Sequence, residues 1–287
     1  MKKIITILCL SFMPFYAKGI VTASILPVKY FVEQIVGDTL EVGVMAPSGA
    51  DPHTYEPRPN QMKMVEKSDL FFAVGMDYER VWIPKFTKSF ANLKIIDTAY
   101  GIKLKKMEHS HDHEASEHKS DHEDSEGGFD PHIWLDPILV KTMAQNIFSA
   151  LKAQYPQNAE IYSTNLAKFL QILDELDATI RSEFSNLKNK KFIVYHPSWG
   201  YFAKRYGLEQ IAIEIEGKEP KPADLANLIN EAKEEGVKVI FVAPQFSKKS
   251  ANLIANEVHA KVVEIDQLPK DWLLSMKKTT EAFRQSF

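Results

Sequence analysis

Cysteine is nearly absent from this sequence: Cys9 is the only one in 287 residues, and it lies in the apolar segment at the N-terminus. A lipoprotein signal would carry a small residue directly before its cysteine, whereas Leu8 stands here. We therefore expect a mature chain with no lipid anchor, no disulfide and no thiolate metal ligand. A net charge of −3 provides no basic excess for binding nucleic acid or anionic lipid.

The N-terminal segment is apolar but too short to span a bilayer as a helix, and no later segment is long enough either. Lys2 and Lys3 precede the run "IITILCLSFM", Pro14 ends it, and "AKG" follows with small residues at the spacing of a cleavage site. This pattern predicts a signal peptide over residues 1–19, cleaved near Gly19, and export to the periplasm. The alternative interpretation is a buried first strand.

The rest of the chain alternates between short β-rich runs and helical patterns. With 45% hydrophobic and 25% charged residues, the composition is that of a globular protein, and the length suits two domains. The sequence predicts an α/β fold of two similar lobes, 20–155 and 190–287, each a four-stranded parallel sheet flanked by helices. The predicted strands are 20–25, 40–46, 70–74, 93–97, 191–195, 211–215, 238–243 and 261–265.

A long helical pattern separates the two predicted lobes, within residues 156–189. From Asn158 to Leu187, apolar residues recur at spacings of three and four, which places them on one stripe of a continuous helix. Such a helix would be about 45 Å long and would form a stiff spine along both lobes. A shorter helix from Pro137 to about Gln154 precedes it, with Asp136 as its N-cap.

Residues 107–128 fit neither lobe. They contain five of the nine histidines and eight carboxylates, with almost no apolar side chains. Such a composition cannot form a core and predicts a disordered surface loop within the first lobe. The loop histidines are predicted to bind metal weakly, as accessory ligands, and a passive spacer is the alternative. These histidines are His109, His111, His113, His118 and His122.

Four side chains outside that loop are predicted to converge on one site. His53 and His132 lie in the similar phrases "DPHTYEP" and "DPHIWLDP", in which prolines stiffen the loop that aims each imidazole. His196 and Asp266 directly follow predicted strands, and ligands of open α/β sheets bind beyond such strand ends. Three imidazoles and one carboxylate favour zinc in tetrahedral geometry, since manganese prefers more oxygen ligands. For each phrase alone, a turn that happens to contain histidine is the rival interpretation.

Three aspartates lie close to these histidines in the sequence. Asp51, Asp130 and Asp136 are candidates to accept the second ring N–H of a metal-bound imidazole, which would fix its orientation. The alternative is that they only cap turns and helices, as Asp136 does if a helix begins at Pro137.

Four phrases together, "PSGADPHTYEPRP", "DPHIWLDP", "YHPSWGYFAKRYGL" and "EIDQL", resemble the metal-binding proteins of bacterial ABC importers for zinc and manganese. The zinc-uptake branch is the most similar, and the resemblance covers the whole mature chain in order. It implies two α/β lobes joined by a rigid helix, with the metal in the cleft between them. His53, His132 and His196 match the family's histidine ligands, and Asp266 matches its C-terminal aspartate.

The resemblance also implies a function and partners. The protein is expected to capture zinc tightly in the periplasm and deliver it to an inner-membrane ABC permease with its cytoplasmic ATPase. We expect a monomer, with a periplasmic zinc chaperone as an optional further partner and no role for nucleic acid. Two departures stand out: the disulfide of some zinc-specific members is absent, and Pro52 occupies a slot where some members carry a glutamate ligand, which favours Asp266.

Three other functions are weighed against zinc import. A zinc hydrolase would need an open metal position and a general base, but neither H-E-x-x-H nor G-x-S-x-G occurs, so we expect no enzyme. The manganese branch typically carries a glutamate at the position of His196. A zinc store without a permease is the third alternative, and the sequence leaves it open.

Overall fold

The computed structural model describes residues 18–107, 128–187, 190–215 and 217–286. The predicted signal peptide therefore lies outside the described residues except for its last two positions. The predicted loop 107–128 lies outside them except for its two end residues, and so do all five of its histidines.

The first lobe is a parallel sheet covered by helices. Its elements are β1 (Ile20–Ala23), α1 (Leu26–Val36), β2 (Glu41–Val44), α2 (Pro59–Glu66), β3 (Leu70–Ala73), α3 (Asp77–Ser89) and β4 (Lys94–Asp97). The strand order is β2-β1-β3-β4, and every pair is parallel. The central strands β1 and β3 are almost wholly buried, as expected for strands covered on both faces.

Two helices lead from this lobe to the next. α4 (Pro137–Gln154) begins where predicted, since the Asp136 side chain accepts hydrogen bonds from the backbone N–H groups of Ile138 and Leu139. α5 (Ala159–Phe184) is the predicted spine helix, one residue shorter at its start and three at its end. With 26 residues it is about 39 Å long.

The second lobe repeats the design of the first. It contains β5 (Lys191–Val194), α6 (Gly200–Tyr206), β6 (Glu209–Ala212), α7 (Pro222–Glu234), β7 (Val239–Val242), α8 (Lys249–Val258), β8 (Lys261–Glu264) and α9 (Trp272–Ser286). The strand order is β6-β5-β7-β8, again all parallel. In each lobe the strand order therefore changes direction between the first and third strands, which is where such sheets bind ligands.

The predicted position of β6 was wrong by about two residues. The strand occupies Glu209–Ala212 rather than 211–215, because Glu209 pairs with Lys191 and Ala212 with Val194. Glu214 consequently lies beyond the strand, at the carboxyl edge of the sheet, instead of inside it.

The spine helix packs against both lobes. In its first half Phe169 lies against Phe31 of α1, and at its end Phe184 contacts Phe202 of α6 and Phe283 of α9. These side chains belong to one continuous buried core that extends from the first lobe into the second. The spine is therefore a packed core helix and not a free linker. None of the described helices is long and apolar enough to cross a membrane.

Candidate metal centre

His53 lies on the loop after β2 and is held from the first lobe. Its Nδ1 lies 2.7 Å from Oδ2 of Asp77, the first residue of α3. Arg80, one turn later on α3, also pairs with Asp77. The hydrogen bond from His53 is the largest cause that lowers the pKa of Asp77 to about 2, so this carboxylate is charged at all ordinary pH values.

His132 is almost fully buried and is held by a carboxylate two residues earlier. Oδ1 of Asp130 lies 2.7 Å from the ring Nδ1 and 2.9 Å from the backbone nitrogen of His132. The intervening Pro131 and the short 3₁₀ turn Ile133–Leu135 fix the backbone on either side. Burial lowers the pKa of His132 to about 4, although Asp130 opposes the shift, so the imidazole is neutral near pH 7.

His196 comes from the second lobe, two residues beyond the end of β5. Its Nδ1 lies 2.6 Å from Oε1 of Glu214, which follows β6. Both side chains are buried, with 7% and 6% of their surfaces exposed. The aromatic ring of Phe246 stacks on the imidazole at a centroid distance of 5.0 Å.

The three imidazoles meet between the lobes. His53, His132 and His196 each offer one ligand atom within 4.8 Å of the others, and no other such group occurs among the described residues. A carboxylate only accepts hydrogen bonds, so each Nδ1 carries a proton, and a neutral imidazole of this tautomer presents a lone pair at Nε2. Nε2 of His132 and Nε2 of His196 lie 3.2 Å apart, and Nε2 of His53 is buried with no hydrogen-bond partner in the described structure.

This arrangement has the dimensions of a zinc site. Zn–N bonds of 2.0–2.1 Å in a tetrahedron separate two nitrogen ligands by about 3.3 Å. The 3.2 Å between the two buried Nε2 atoms agrees with that value. Three carboxylates behind the rings, Asp77, Asp130 and Glu214, add negative charge that favours a cation.

Asp266, the fourth residue predicted to converge, lies outside the group of three. It follows β8, and its Oδ1 accepts hydrogen bonds from the backbone N–H of Leu268 at 2.9 Å and from Nε2 of Gln245 at 3.0 Å. The neighbouring Gln267 carbonyl accepts the indole N–H of Trp134, whose ring packs on His132. The sequence thus predicted four converging side chains, and the structure groups three.

The acids behind the rings are partly those that the sequence suggested. Asp130 accepts the ring N–H as predicted, but Asp51 accepts the backbone N–H of His53 and the Thr54 hydroxyl, so it caps a turn. Asp136 caps α4 and forms an ion pair with Arg205. For Asp136, the capping interpretation is therefore the correct one.

Sequence reasoning missed Asp77 and Glu214 as partners of the rings. Both could have been found by the rule that located His196, because each lies a few residues beyond a strand end. The sequence prediction places Glu214 inside the strand 211–215 and gives Asp77 no role. The missing information was the strand register, which the structure provides.

Hydrogen bonds across the lobes fix the site. The Tyr201 hydroxyl of the second lobe accepts the backbone N–H of Lys105 and donates to the carbonyl of Asp130, both at 2.9 Å. The indole N–H of Trp272 donates to the carbonyl of Trp134 at 2.8 Å. The segment that carries His132 is therefore bonded to the second lobe at several points.

Comparison with known proteins gives consistent matches over nearly the whole chain. The family model ZnuA, described as zinc-uptake complex component A, periplasmic, matches residues 21–286. The high-affinity zinc uptake system protein ZnuA of Bacillus subtilis is 36% identical over 252 residues, which cover 86% of this chain and 78% of that protein. Zinc-binding protein AdcA of Streptococcus pyogenes serotype M3 is 31% identical over 284 residues; the match covers 92% of this chain but only 55% of AdcA.

A solved structure of a ZnuA deletion mutant with zinc bound superposes with a TM-score of 0.85 at 38% sequence identity. The match covers 94% of this chain and 98% of that one. The two lobes and the long helix between them therefore form a fold already observed in that protein.

Proposed function

The chain belongs to the ZnuA family of periplasmic zinc-uptake components, and from this premise we propose that it captures zinc and delivers it to an ABC importer. Its function is binding and not catalysis, because the family supplies the binding component of an uptake complex. Zinc is its cargo, and the importer's permease and ATPase are its partners.

The observation that carries the proposal is the meeting of three Nε2 lone pairs in a buried site. Two acceptors 3.2 Å apart with no proton between them repel each other, and a buried imidazole nitrogen without a partner is unfavourable. A divalent cation at the centre of His53, His132 and His196 would satisfy all three atoms at once. Imidazole nitrogen also suits zinc better than manganese, which supports the zinc branch over the manganese branch.

The fourth ligand in this proposal is Asp266. Both hydrogen bonds to its carboxylate are accepted by Oδ1, which leaves Oδ2 as the oxygen offered to a metal. With Asp266 as a ligand the three imidazoles would form a tetrahedral site, and a water molecule is the alternative fourth ligand.

The remaining expectations complete the proposal. We assign 1–19 as a cleaved signal peptide, 20–155 as the first lobe, 156–189 as the spine and 190–287 as the second lobe. The mature protein is a periplasmic monomer without a lipid anchor, and it accepts zinc from a periplasmic chaperone where one is present. His109, His111, His113, His118 and His122 bind further zinc weakly.

Metal titration of the mature protein tests the function. Protein stripped of metal is titrated with zinc and with manganese in competition with a chelator, and we expect one tight zinc site with weaker manganese binding. His259→Ala serves as the matched control, since His259 is exposed at the end of α8. Tight zinc binding that survives His132→Ala unchanged would refute the site.

A further inference from the structure

We propose that the turn after β7, residues Ala243–Phe246, is a positioning element of the metal site. In this role Gln245 orients Asp266, and Phe246 fixes the plane of the His196 ring. The inference rests on the proposed function, because it assigns how two proposed ligands from the second lobe are held. The turn is closed by a hydrogen bond of 3.0 Å from the Phe246 backbone N–H to the Ala243 carbonyl.

The turn lies where the topology of the second lobe places a binding crevice. Strand β5 pairs with β6 on one side and β7 on the other, so the segments after β5 and β7 meet at the point where the strand order reverses. His196 follows β5, and Gln245 and Phe246 follow β7. The first lobe uses its equivalent segment in the same way, because Asp77 comes after β3 and holds His53.

Gln245 restricts which oxygen of Asp266 is available. Its Nε2 lies 3.0 Å from Oδ1 of Asp266, an atom that also accepts the N–H of Leu268. The amide must face the carboxylate with its nitrogen, since an oxygen there would repel it. With both donors on Oδ1, Oδ2 is the oxygen presented to a metal.

The same hydrogen bond leaves Gln245 itself incompletely satisfied. Its Oε1 is buried and has no hydrogen-bond partner in the described structure. A buried acceptor without a donor is destabilising, so this side chain is not placed for stability alone. A role in holding Asp266 accounts for this orientation of the amide, which leaves Oε1 without a hydrogen-bond donor.

Phe246 connects the metal site to the core of the second lobe. Its ring lies 5.0 Å from the His196 ring with an angle of 27° between their planes, and 5.4 Å from the Tyr195 ring at 30°. Its other contacts are with the buried apolar residues of that lobe. The imidazole of His196 is thus fixed at its edge by Glu214 and across its face by Phe246.

A double-mutant cycle tests the action of Gln245 through Asp266. Gln245→Met, which removes the amide at similar volume, is expected to lower zinc affinity about tenfold, near the lower end for a hydrogen bond to a charged group. In an Asp266→Ala background the same change is expected to alter zinc affinity by less than about twofold. An equal tenfold loss in both backgrounds, or no loss in either, would overturn the inference.

A control variant and a spectroscopic measurement distinguish a positioning role of Gln245 from a general effect on folding. Gln171→Met is the matched control, because the Gln171 amide also donates to a carboxylate, that of Glu175, but on the solvent-exposed face of the spine helix. With Co²⁺ as the probe, Gln245→Met should shift the visible absorption spectrum toward that of Asp266→Ala, whereas Gln171→Met should not. If Gln245→Met unfolds without metal, Gln245→Ala replaces it in the same cycle.

Phe246→Leu tests the ring. Release of zinc to excess chelator should become several-fold faster because the His196 imidazole gains rotational freedom. An unchanged release rate would show that Phe246 has no positioning role in the turn. If the wild-type protein itself shows no tight zinc site, the proposed function fails. A tight wild-type site that is indifferent to Gln245 overturns only this inference.

Discussion

Nε2 of His132 and Nε2 of His196 lie 3.2 Å apart although the two side chains come from different lobes, 64 residues apart in the chain. Both Nδ1 atoms donate to carboxylates, those of Asp130 and Glu214, so in the neutral imidazoles neither Nε2 carries a proton that it could donate to the other. The proposed site is therefore arranged for a cation before the cation arrives, and zinc bound there would relieve a repulsion between the two nitrogen lone pairs. Zinc should accordingly stabilise the protein by binding only its folded form.

The first prediction concerns the carboxylate behind His196. Glu214→Gln keeps an oxygen that can accept the Nδ1 proton but removes the negative charge, so zinc affinity should fall about 10- to 100-fold. Chelator competition at pH 7 measures the change, and Glu281→Gln, an exposed acid on α9, serves as control. Unchanged affinity would mean that Glu214 does not support the metal-bound imidazole.

The second prediction is a pH dependence of stability in the metal-free protein. Burial raises the pKa of Glu79 to about 7. The folded state then binds more protons than the unfolded chain, so stability falls as pH rises from about 4.5 to 7. His132 has the opposite sign: its pKa falls from 6.5 to about 4, so its contribution is present above 6.5 and is lost as pH falls toward 4. The two effects oppose each other between about 4.5 and 6.5.

Glu79→Gln should remove the contribution of Glu79 and leave the pH dependence of stability that comes from His132. The variant cannot titrate but keeps one oxygen, which can take the place of Oε2 and accept from the backbone N–H groups of both Val74 and Gly75. Its unfolding free energy should drop by up to about 1.4 kcal/mol per unit of pH as pH falls from 6.5, more steeply than in the wild type. Denaturant unfolding at several pH values measures this, and equal slopes would show that Glu79 does not titrate in this range.

The third prediction is a small conformational response to zinc. The spine helix packs into one core with both lobes, and Tyr201 and Trp272 bridge them by hydrogen bonds. The described residues therefore show the two lobes joined by packed contacts, which leaves little room for a wide hinge motion. Small-angle scattering should give the same radius of gyration with and without zinc, within error. A clear compaction would contradict a rigid spine.

The fourth prediction separates the tight site from the His-rich segment. Deleting residues 109–122 removes five histidines but none of the clustered ones, so one tight zinc ion should remain and only weaker binding should be lost. Titration by calorimetry distinguishes the two classes of site. Loss of the tight site would mean that the deleted segment supplies a ligand, and the proposed role of Asp266 would then be wrong.

The fold could be predicted from the sequence because each strand is a short apolar run bounded by turn residues. Seven strands lie within one or two residues of their predicted positions, and the spine differs only at its ends, where fraying is usual. The displaced strand, β6, is at the edge of its sheet, and its apolar run "IAIEI" continues past the paired residues. Pairing register, and not composition, decides where such a strand ends.

The histidines could be predicted because stiff loops and strand ends mark them. Their partners depend on which segments meet in three dimensions: Asp77 is 24 residues from His53, and Glu214 is 18 from His196. Asp130 was found because its bond to His132 spans only two residues. Gln245 carries no sequence pattern at all, and only its contact with Asp266 identifies it.

The last prediction concerns the choice of metal at His196. Replacing this imidazole by a carboxylate would leave two nitrogen ligands and, with Asp266, two carboxylates, which suits manganese better. His196→Glu alone also places its new charge beside Glu214, which is only 6% exposed, and two buried like charges repel strongly. We therefore expect the single variant to be destabilised and to bind zinc much more weakly.

The paired variant His196→Glu/Glu214→Gln removes that repulsion, because the amide can donate to the new carboxylate. Zinc affinity should stay below that of the wild type, and the gap between zinc and manganese should narrow without reversing, since zinc leads manganese at most nitrogen and oxygen sites. His196→Ala should weaken zinc without any gain for manganese. Titration of all three variants with both metals at one pH distinguishes these outcomes, and equal zinc affinity in the wild type and His196→Ala would show that His196 is not a ligand.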